Sequence, residues 1–449
     1  MSANTQKSSP RRVVIMGAAG RDFHNFNMVF KNNPGTRVVA FTAAQISGIA
    51  NRRYPPALSG PLYPHGIPIF DEAELDSICR EDEVDEVVFA YSDVTHESVM
   101  HAASRALAAG ADFTLLGPAR TTLKSNKPVI AVTAIRTGCG KSQAARHLSK
   151  FLKGRGLRVG VIRHPMPYGD LARQRVQRFA RPDDLNAAQC TNEEREEYEP
   201  HIEAGNVVWA GVDYAAILDA AEREADVIVW DGGNNDFSFI TPDLHIVITD
   251  ALRPGQALHY HPGEAVLRMA DIVVINKVNV ASAADIAQVA AETREANKTA
   301  RIVEAASHVV VENPHALRGK RVLIIEDGPT ITHGGAPHGA GYAAAKASGA
   351  VIVDPRPFAA PAIRKIYNRY PHIGPVLPDV GYQESERDAL RETIERSNVD
   401  LVLVAAPIDL KSTLKLDLPV VRVRYDYADH GDPTLTSLVS DFLERRPSN

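Results

Sequence analysis

The stretch that decides the fold class reads VTAIRTGCGKS over residues 132–142. It follows an apolar run, Val129–Thr133, and precedes a helical pattern over Gln143–Gly154, which predicts a glycine-rich turn between a strand and a helix. Backbone N–H groups of such a turn can surround phosphate oxygens. Lys141 can then reach the β- and γ-phosphates of a nucleotide, and the Ser142 hydroxyl can bind Mg²⁺. The stretch therefore predicts a P-loop.

The match to the common P-loop pattern is incomplete, because Ile135 stands five residues before Gly140, where that pattern has glycine. In a deviant P-loop, Arg136 occupies the place of the signature lysine and could contact the γ-phosphate or the acceptor substrate. A chance Gly-Lys-Ser turn is the alternative, and the agreement of strand, turn and helix argues against it. The predicted nucleotide-binding residues of the turn are Thr137, Gly138, Cys139, Gly140, Lys141, Ser142 and Gln143.

A second apolar strand, Val227–Asp231, ends in an aspartate and is followed by two glycines. This is typical of a Walker B strand, whose aspartate holds Mg²⁺ directly or through water, although it could also simply cap the next turn. Arg163 and His164 follow an earlier strand and suit an anionic acceptor, unless they lie on the surface. The predicted metal ligands are Ser142 and Asp231, and the predicted catalytic residues are Lys141, Arg136, Asp231, Arg163 and His164.

Residues after the strand Ile272–Asn276 resemble the Asn-Lys-x-Asp loop that reads guanine in GTPases. Asn276 and Lys277 are therefore predicted to contact the nucleotide. Asn279 replaces the aspartate, and a neutral amide offers a single acceptor group to the two guanine donors. We expect ATP with Mg²⁺ as the cofactors, with GTP as the alternative.

Short β-branched runs alternate with helical patterns along the whole chain, which predicts an α/β fold with parallel sheets. We expect a disordered tail over residues 1–11, a Rossmann-like substrate domain over 12–126, a P-loop NTPase domain over 127–283 and a further α/β region over 284–449. Residues 170–200 are charged and aperiodic, and we predict an excursion over the site.

The sequence GAAGRDFHNFN over residues 17–27 joins the first strand to a helix. No acidic residue ends the next strand, Val38–Thr42, which disfavours NAD. Donor side chains beside glycines instead favour an anionic substrate, with a vestigial nucleotide fold as the alternative. The predicted substrate contacts here are Gly17, Gly20, Arg21, His24, Asn25 and Asn27.

A loop dense in glycine and histidine spans residues 327–341, between a strand and a helix. Glycine permits close approach of a ligand, and histidine can donate to phosphate or carry protons. We predict that His333 and His338 contact the substrate; a plain surface loop is the alternative.

Composition narrows the class of protein. The 449 residues carry a net charge of −5, which gives no general attraction to nucleic acid or anionic membranes. Three distant cysteines predict no disulfide framework, and no apolar run is long enough for a membrane span. We expect a cytoplasmic protein, with a homodimer as a weak expectation from the deviant P-loop class.

Taken together, the motifs resemble those of cyclic 2,3-diphosphoglycerate synthetases, a family also described as predicted GTPases. The resemblance covers nearly the whole chain and rests on GAAGRDFHNFN (17–27), TAIRTGCGKS (133–142), RHPM (163–166), DGGNND (231–236) and EDGPTITHGGAPHG (326–339). It implies an ATP-dependent closure of 2,3-bisphosphoglycerate to an intramolecular phosphoanhydride, with ADP and phosphate released. The implied substrate is a small anionic phosphorylated acid, and catalysis would rest on positioning and charge neutralisation.

The leading hypothesis is thus an ATP-dependent synthetase that acts on such an acid or a close relative of it. A regulatory P-loop GTPase is the rival, favoured by Asn276 and Lys277 and opposed by Asn279. A nucleotide sensor without turnover is a third class, against which Lys141 and Asp231 argue.

Overall fold

The computed structural model describes residues 9–44, 49–164, 169–233, 236–332, 335–380, 384–406 and 410–445. Within these ranges two large sheets carry the architecture, and helices cover both faces of each. The predicted α/β fold with parallel sheets is confirmed.

The first sheet has the strand order β3-β4-β2-β1-β5-β7 and is parallel except for the β3–β4 pair. Its long parallel strands follow the strand order of a Rossmann fold: successive strands are added on one side of β1 up to β4 and on the other side from β5 onward. The elements are β1 (Arg11–Met16), α1 (Arg21–Asn25), a π-helical turn (Phe26–Phe30), β2 (Thr36–Ala43), β3 (Arg53–Tyr54), α2 (Pro56–Ser59), β4 (Ile67–Asp71), α3 (Leu75–Glu81), β5 (Glu86–Phe89), β6 (Val94–Thr95), α4 (His96–Ala108) and β7 (Asp112–Leu115).

The second sheet begins with the P-loop region, whose central parallel strands are buried throughout and almost wholly apolar, as parallel strands covered on both faces must be. Its elements are β8 (Val129–Ala134), α5 (Lys141–Gly154), β9 (Val159–Ile162), β10 (Gln177–Phe179), α6 (Pro182–Ala187), α7 (Asn192–Glu203), β11 (Val207–Ala210), α8 (Tyr214–Glu224), β12 (Val227–Trp230), β13 (Leu244–Asp250), β14 (Tyr260–His261), α9 (Gly263–Arg268), β15 (Ile272–Asn276), α10 (Ala283–Ala296) and β16 (Arg301–Val311).

The remaining elements extend this same sheet. They are β17 (Arg321–Glu326), α11 (Gly328–Ile331), α12 (Ala340–Ala347), β18 (Val351–Ile352), α13 (Pro361–Arg369), β19 (Leu377–Pro378), α14 (Glu384–Arg396), β20 (Leu401–Ala405), α15 (Leu410–Leu414), β21 (Val420–His430) and α16 (Leu435–Glu444). The strand order is β10-β11-β9-β12-β8-β13-β15-β16-β21-β20-β17-β18, with β19 paired to β17.

The sheet therefore runs without a break across residue 283, where the sequence places a domain boundary. β16 pairs in parallel with β15, and β21 pairs antiparallel with β16 over eight residue pairs. The chain also returns to the P-loop region at its end, because Leu435, Leu438 and Val439 of α16 lie in the core beneath α5. Alternating runs in the sequence show where strands lie but not which strands pair across the boundary.

Two further segments differ from their sequence-based predictions. The helix expected to follow the turn at residues 17–27 begins within that stretch, at Arg21, and changes to a π-helical turn at Phe26. The excursion over residues 170–200 is folded, since α6 and α7 pack Phe179, Leu185 and Tyr198 into a small core of their own.

A short two-stranded sheet joins the first domain to the P-loop region. β6 pairs antiparallel with β14, Val94 opposite His261 and Thr95 opposite Tyr260. This pairing brings the carboxyl edge of the first sheet to the P-loop.

Candidate nucleotide and substrate site

The P-loop turn is built on left-handed glycines at its two decisive positions. Gly138 has φ 84° and Gly140 has φ 101°, and α5 begins directly afterwards at Lys141. A Cβ on Gly140 would lie 2.2 Å from Nδ2 of Asn276, so neither backbone strain nor space permits a side chain there. The local sequence Gly-Cys-Gly-Lys thus dictates both the turn and the start of the helix.

Three consecutive carbonyl groups of the turn are held from outside it. Each accepts a hydrogen bond of 2.8 Å: Thr137 O from Arg253 Nη1, Gly138 O from Lys277 Nζ, and Cys139 O from Asn276 Nδ2. In a planar trans peptide the N–H points opposite to the C=O. The next three N–H groups are therefore directed to the other side of the turn, where a phosphate would bind.

Asn276 and Lys277, which the sequence predicts to contact the nucleotide, thus lie beside the P-loop. The hydrogen bonds described here join them to the P-loop backbone. Asn279 is engaged elsewhere: its Nδ2 donates to Ser307 O at 3.2 Å and its Oδ1 accepts from Ser307 N at 3.0 Å. Each polar atom of this amide therefore already has a partner in β16. Gln143 also contacts β16, through its Nε2 and the Ser307 hydroxyl at 3.1 Å.

Asp231, directly after β12, is the centre of the site and is fully buried. Its Oδ1 accepts from Lys141 Nζ, and its Oδ2 accepts from Arg163 Nη1. Arg163 also forms an ion pair with Glu197 of α7. The three predicted residues Lys141, Asp231 and Arg163 therefore meet in one buried cluster.

His201 of α7 is a member of this cluster that sequence reasoning missed. It is fully buried, and its Nε2–H donates to Asp231 Oδ2 at 2.8 Å. Asn206 Nδ2 donates to the other ring nitrogen at 3.2 Å, which fixes the tautomer. The only signal in the sequence was a histidine within an excursion that had no evident period.

Ionisation in the cluster follows from burial and from neighbouring charges. Burial opposes the charge on Asp231, but Arg163, Lys141 and His201 together hold the pKa of this carboxyl well below its usual range. Burial and the charge of Arg163 lower the pKa of Lys141 to about 8, although Asp231 acts in the opposite direction. Burial lowers the pKa of His201 to about 4, so this ring is neutral at pH 7.

The oxygens of Ser142 and Asp231 suit Mg²⁺, which prefers hydroxyl and carboxylate ligands. Arg163 Nη1 contacts both residues, at 3.2 Å from Ser142 Oγ, so one positive group already bridges the two oxygens. Within the described ranges, no group of three or more His, Cys, Asp or Glu side chains is arranged to hold a metal ion. A cation here would accordingly need phosphate oxygens or water to complete its ligands.

His164 lies beside the same cluster. A Cβ on Gly233 would overlap its ring, so the second of the two glycines after Asp231 makes room for this histidine. Burial and the charges of Arg163 and Lys141 lower the pKa of His164 to about 3. Its Nδ1 is buried without a hydrogen-bond partner in the described part of the chain.

Arg136 connects the P-loop with the first domain. Its Nε donates to Asp93 Oδ1 at 3.0 Å, its Nη1 donates to Gln256 Oε1 at 3.0 Å, and its guanidinium lies 3.7 Å above the Tyr260 ring. Asp93 also accepts from Thr137 N at 3.4 Å. In this structure Arg136, which the sequence predicts to contact the γ-phosphate, is therefore held at the interface between the P-loop region and the first domain.

The predicted substrate turn, residues 17–27, lies at this interface. His24 Nε2 donates to Thr121 O at 2.5 Å, and its ring stacks on Phe239 with centroids 4.3 Å apart. Asn27 Nδ2 donates to Val212 O at 3.3 Å. Both side chains hold the two domains together, because their polar atoms are paired with protein groups.

Other members of the turn are differently placed. Gly17 packs against Asp22, since a Cβ on Gly17 would lie 2.5 Å from Asp22 Oδ2, and Gly20 begins the five-residue helix α1. Arg21 and Asn25 are buried, and Arg21 forms an ion pair with Asp236 at 3.4 Å. These two side chains are the donors of the turn that remain candidates for substrate.

The glycine–histidine loop lies at the far part of the second sheet. Glu326, at the end of β17, accepts from Tyr342 N at 2.8 Å and from Gly341 N at 3.3 Å, and burial raises its pKa to about 7. His338 is exposed and stacks on Tyr342 with centroids 4.3 Å apart. His333 lies outside the described residues. The contacts described for this loop are made with the first turn of α12.

The glycine-rich turn between β8 and α5, Lys141 at the start of that helix and the buried Asp231 after β12 together define the class of protein as a P-loop nucleotide enzyme. The chain is 55% identical over 435 residues to arginine synthetase ArcE of Thermococcus kodakarensis, and the alignment spans 97% of each chain. The protein belongs to the same family as that synthetase and is an ATP-dependent enzyme of the ligase type. No protein-family model matches the chain.

Similarity to solved structures is weaker. LpxK from Aquifex aeolicus, in complex with ATP, matches with a TM-score of 0.42 and 15% identity over 72% of this chain and 90% of its own. A ParA family ATPase from Chlorobium tepidum matches with a TM-score of 0.24 and 14% identity over 40% and 82% of the two chains. No functional conclusion rests on either match. Among the described residues, no helix is both long and apolar enough to cross a membrane.

Proposed function

We propose that this protein makes arginine in an ATP-dependent reaction. The name of its relative from Thermococcus kodakarensis, arginine synthetase, gives arginine as the product of that enzyme. The observation that carries the proposal is 55% identity over nearly the whole of both chains. The cluster of Lys141, Arg163 and Asp231 supports it, because these residues supply the charge that phosphoryl transfer requires.

The chemistry of the product suggests the acceptor. Arginine differs from an α-amino acid with a ureido side chain by one nitrogen in place of the ureido oxygen. That oxygen would attack the γ-phosphorus of ATP, and ADP would leave. Ammonia would then add to the ureido carbon, and the oxygen would leave with phosphate. Atoms balance as ureido acid, ammonia and ATP giving arginine, ADP and phosphate.

The residues of this chain would act by position and charge. Inward N–H groups of the P-loop and Lys141 would hold the β- and γ-phosphates, and Arg163 would neutralise charge on the transferred group. Mg²⁺ held by Ser142 and Asp231 would supply further charge neutralisation between the phosphates. His164 and Arg136 lie beside this position and complete the proposed catalytic set.

A second candidate is closure of 2,3-bisphosphoglycerate to its cyclic anhydride, or reaction of another small phosphorylated acid. Its support is the five motifs that resemble those of cyclic 2,3-diphosphoglycerate synthetases. The contacts of His24 and Asn27 weaken it, because these predicted phosphate donors are paired with protein groups. ATP is the proposed nucleotide in both cases, since Asn279 is engaged by Ser307. A cytoplasmic homodimer stays a prediction.

One experiment separates the candidates. The purified protein is incubated with MgATP or MgGTP and either citrulline plus ammonium or 2,3-bisphosphoglycerate, with arginine measured by chromatography and phosphorus species by ³¹P NMR. We expect arginine, ADP and phosphate in equal amounts with ATP. A new anhydride signal from the bisphosphate would support the second candidate instead, and GTP turnover without acceptor would support a regulatory GTPase.

A further inference from the structure

Two buried donors on α1 lack partners in the described part of the chain. Arg21 is 4% exposed and Asn25 is 1% exposed, yet Arg21 Nη2 and Asn25 Nδ2 have no hydrogen-bond partner there. Residues four apart lie on the same side of a helix, so Arg21 and Asn25 share one face of α1. An unpaired buried donor costs about 1–3 kcal/mol, which makes this pair a place where an acceptor from a ligand would be stabilising.

Carboxyl groups lie beside the same guanidinium. Asp236 Oδ1 is 3.4 Å from Arg21 Nη1, and the side chain of Asp236 is only 11% exposed. Asp22, the next residue on α1, is 4% exposed. Burial is the main reason that the pKa of Asp22 rises to about 7 and that of Asp236 to about 6. Both carboxyl groups lie close enough to Arg21 to favour its charged form.

The uncharged groups around Arg21 place it close to the P-loop. Its guanidinium lies 4.6 Å from the Phe237 ring centroid, and its Nη1 donates to His261 Nε2 at 3.5 Å. Tyr260, the residue before His261, lies under Arg136. Asp236 follows Asp231 by five residues. Through β14, which carries both Tyr260 and His261, the cluster around Arg21 is connected to Arg136 of the P-loop.

We propose that this cluster binds the α-amino acid part of the substrate, with the carboxylate on Arg21 and Asn25 and the ammonium group on Asp236 and Asp22. The inference rests on the proposed function, because it identifies the substrate as an α-amino acid. A zwitterion matches a site of mixed charge. A bisphosphate does not, since two buried carboxyl groups would repel it.

The burial of these two donors limits how a substrate can reach them. Because both donors are buried and Arg21 contacts Asp236 and His261, a substrate would reach them only if the first domain separated from these two residues. The substrate would enter while the interface is open and would then be enclosed beside the P-loop. Enclosure excludes water from the phosphoryl transfer, which would otherwise compete with the ureido oxygen.

The test is calorimetric binding to the full-length protein in the presence of MgADP, with three ligands. Arginine carries both groups, agmatine lacks the carboxylate, and 5-guanidinopentanoate lacks the amino group. Each lost group should weaken binding about 10- to 100-fold, the range expected for charged hydrogen bonds.

Two variants assign each group to its partner. Asn25→Ala should weaken arginine about 10-fold and leave agmatine unchanged, whereas Asp236→Asn should weaken arginine and leave 5-guanidinopentanoate unchanged. Asp219→Asn, on the exposed face of α8, is the control and should change neither. Unaltered MgADP binding would show that each variant is folded.

The outcomes separate the two proposals. If the wild type makes arginine but both variants keep full discrimination among the ligands, the subsite is wrong and the function stands. If it makes no arginine from citrulline and ammonium yet shows the predicted discrimination, the subsite stands and the proposed reaction is wrong. Tighter binding of 2,3-bisphosphoglycerate than of arginine would overturn the subsite.

Discussion

Two turns of this protein share one sequence pattern, a strand followed by glycines and a helix, and they differ in chemistry. At the P-loop, carbonyl groups are held from outside by Arg253, Lys277 and Asn276, which directs N–H groups toward a ligand. At residues 17–27, Asp22 Oδ1 accepts from Ala19 N and from Phe23 N, both at 2.6 Å. The carboxyl group of Asp22 thus occupies two backbone N–H groups that a phosphate at this turn would need.

The comparison shows that glycine spacing permits a phosphate site but does not create one. The helix lengths differ as well, since α5 has 14 residues and α1 has five. The first residues of the two helices also differ: α5 begins with Lys141 and Ser142, whereas α1 begins with Arg21 and Asp22, so the second turn carries a carboxyl group next to its cation. The anion site predicted at residues 17–27 is therefore better described as a site of mixed charge.

The largest effect should come from Lys141→Ala. Removing the charge that faces the phosphates should lower ATP-dependent turnover by about 10³-fold with the fold intact, because the lysine acts on the transition state. Steady-state phosphate release would measure the turnover, and circular dichroism would show whether the fold is intact. Lys150→Ala, on the exposed side of the same helix, is the control. Unchanged turnover in Lys141→Ala would remove the functional difference between the two turns.

Gly140→Ala tests the backbone of the P-loop. The left-handed φ and the close approach of Asn276 Nδ2 should distort the turn, and MgATP binding should weaken about 100-fold. Gly156→Ala is a matched control, because its φ is 82° and a Cβ there would meet open space. The control should lose about 1 kcal/mol of stability and keep its affinity for MgATP. Equal affinity losses would contradict the assignment.

His201→Gln probes the residue that positions Asp231. Losing the ring should lower kcat about 10-fold and change KM for ATP little, as is usual for groups that orient a ligand residue. Gln retains an N–H donor, so His201→Ala should lower kcat further. Measurement of kcat and KM for both variants decides the matter. A change confined to thermal stability would assign His201 a purely structural role.

Asp22→Asn should change the dependence of stability on pH. The folded pKa of Asp22, about 7, lies above the unfolded value, so the native state keeps this proton and stability falls as pH rises from about 4 to about 7. Asparagine still accepts the two turn N–H groups and does not ionise. The loss of stability between pH 5 and pH 8 should therefore be smaller in the variant by about 2–3 kcal/mol.

Denaturant unfolding at the two pH values would measure this effect, with Asp219→Asn as the control for an exposed carboxyl. Asp236, whose pKa is also raised, titrates in both proteins and accounts for part of the pH dependence that remains in the variant. Parallel pH profiles for wild type and Asp22→Asn would show that the pKa of Asp22 is not raised in the folded protein, which would contradict this prediction.

Much of the fold could be predicted because strands buried on both faces leave continuous apolar runs in the sequence. β15, β17 and β20 begin and end where those runs do. The continuous second sheet could not be predicted in this way. β21 is antiparallel to β16 and parallel to β20, and an alternating pattern does not reveal which strand lies beside which.

The sequence by itself determined the P-loop, because left-handed glycines and a lysine at the start of a helix encode their geometry within about ten residues. Only the tertiary structure decided the partners of the charged groups. His201 meets Asp231, Asp93 meets Arg136, and Asp236 meets Arg21 across 30, 43 and 215 residues of chain. Such contacts depend on how α7 and the first domain pack against the second sheet, and buried charges stay in place only where that packing supplies a partner.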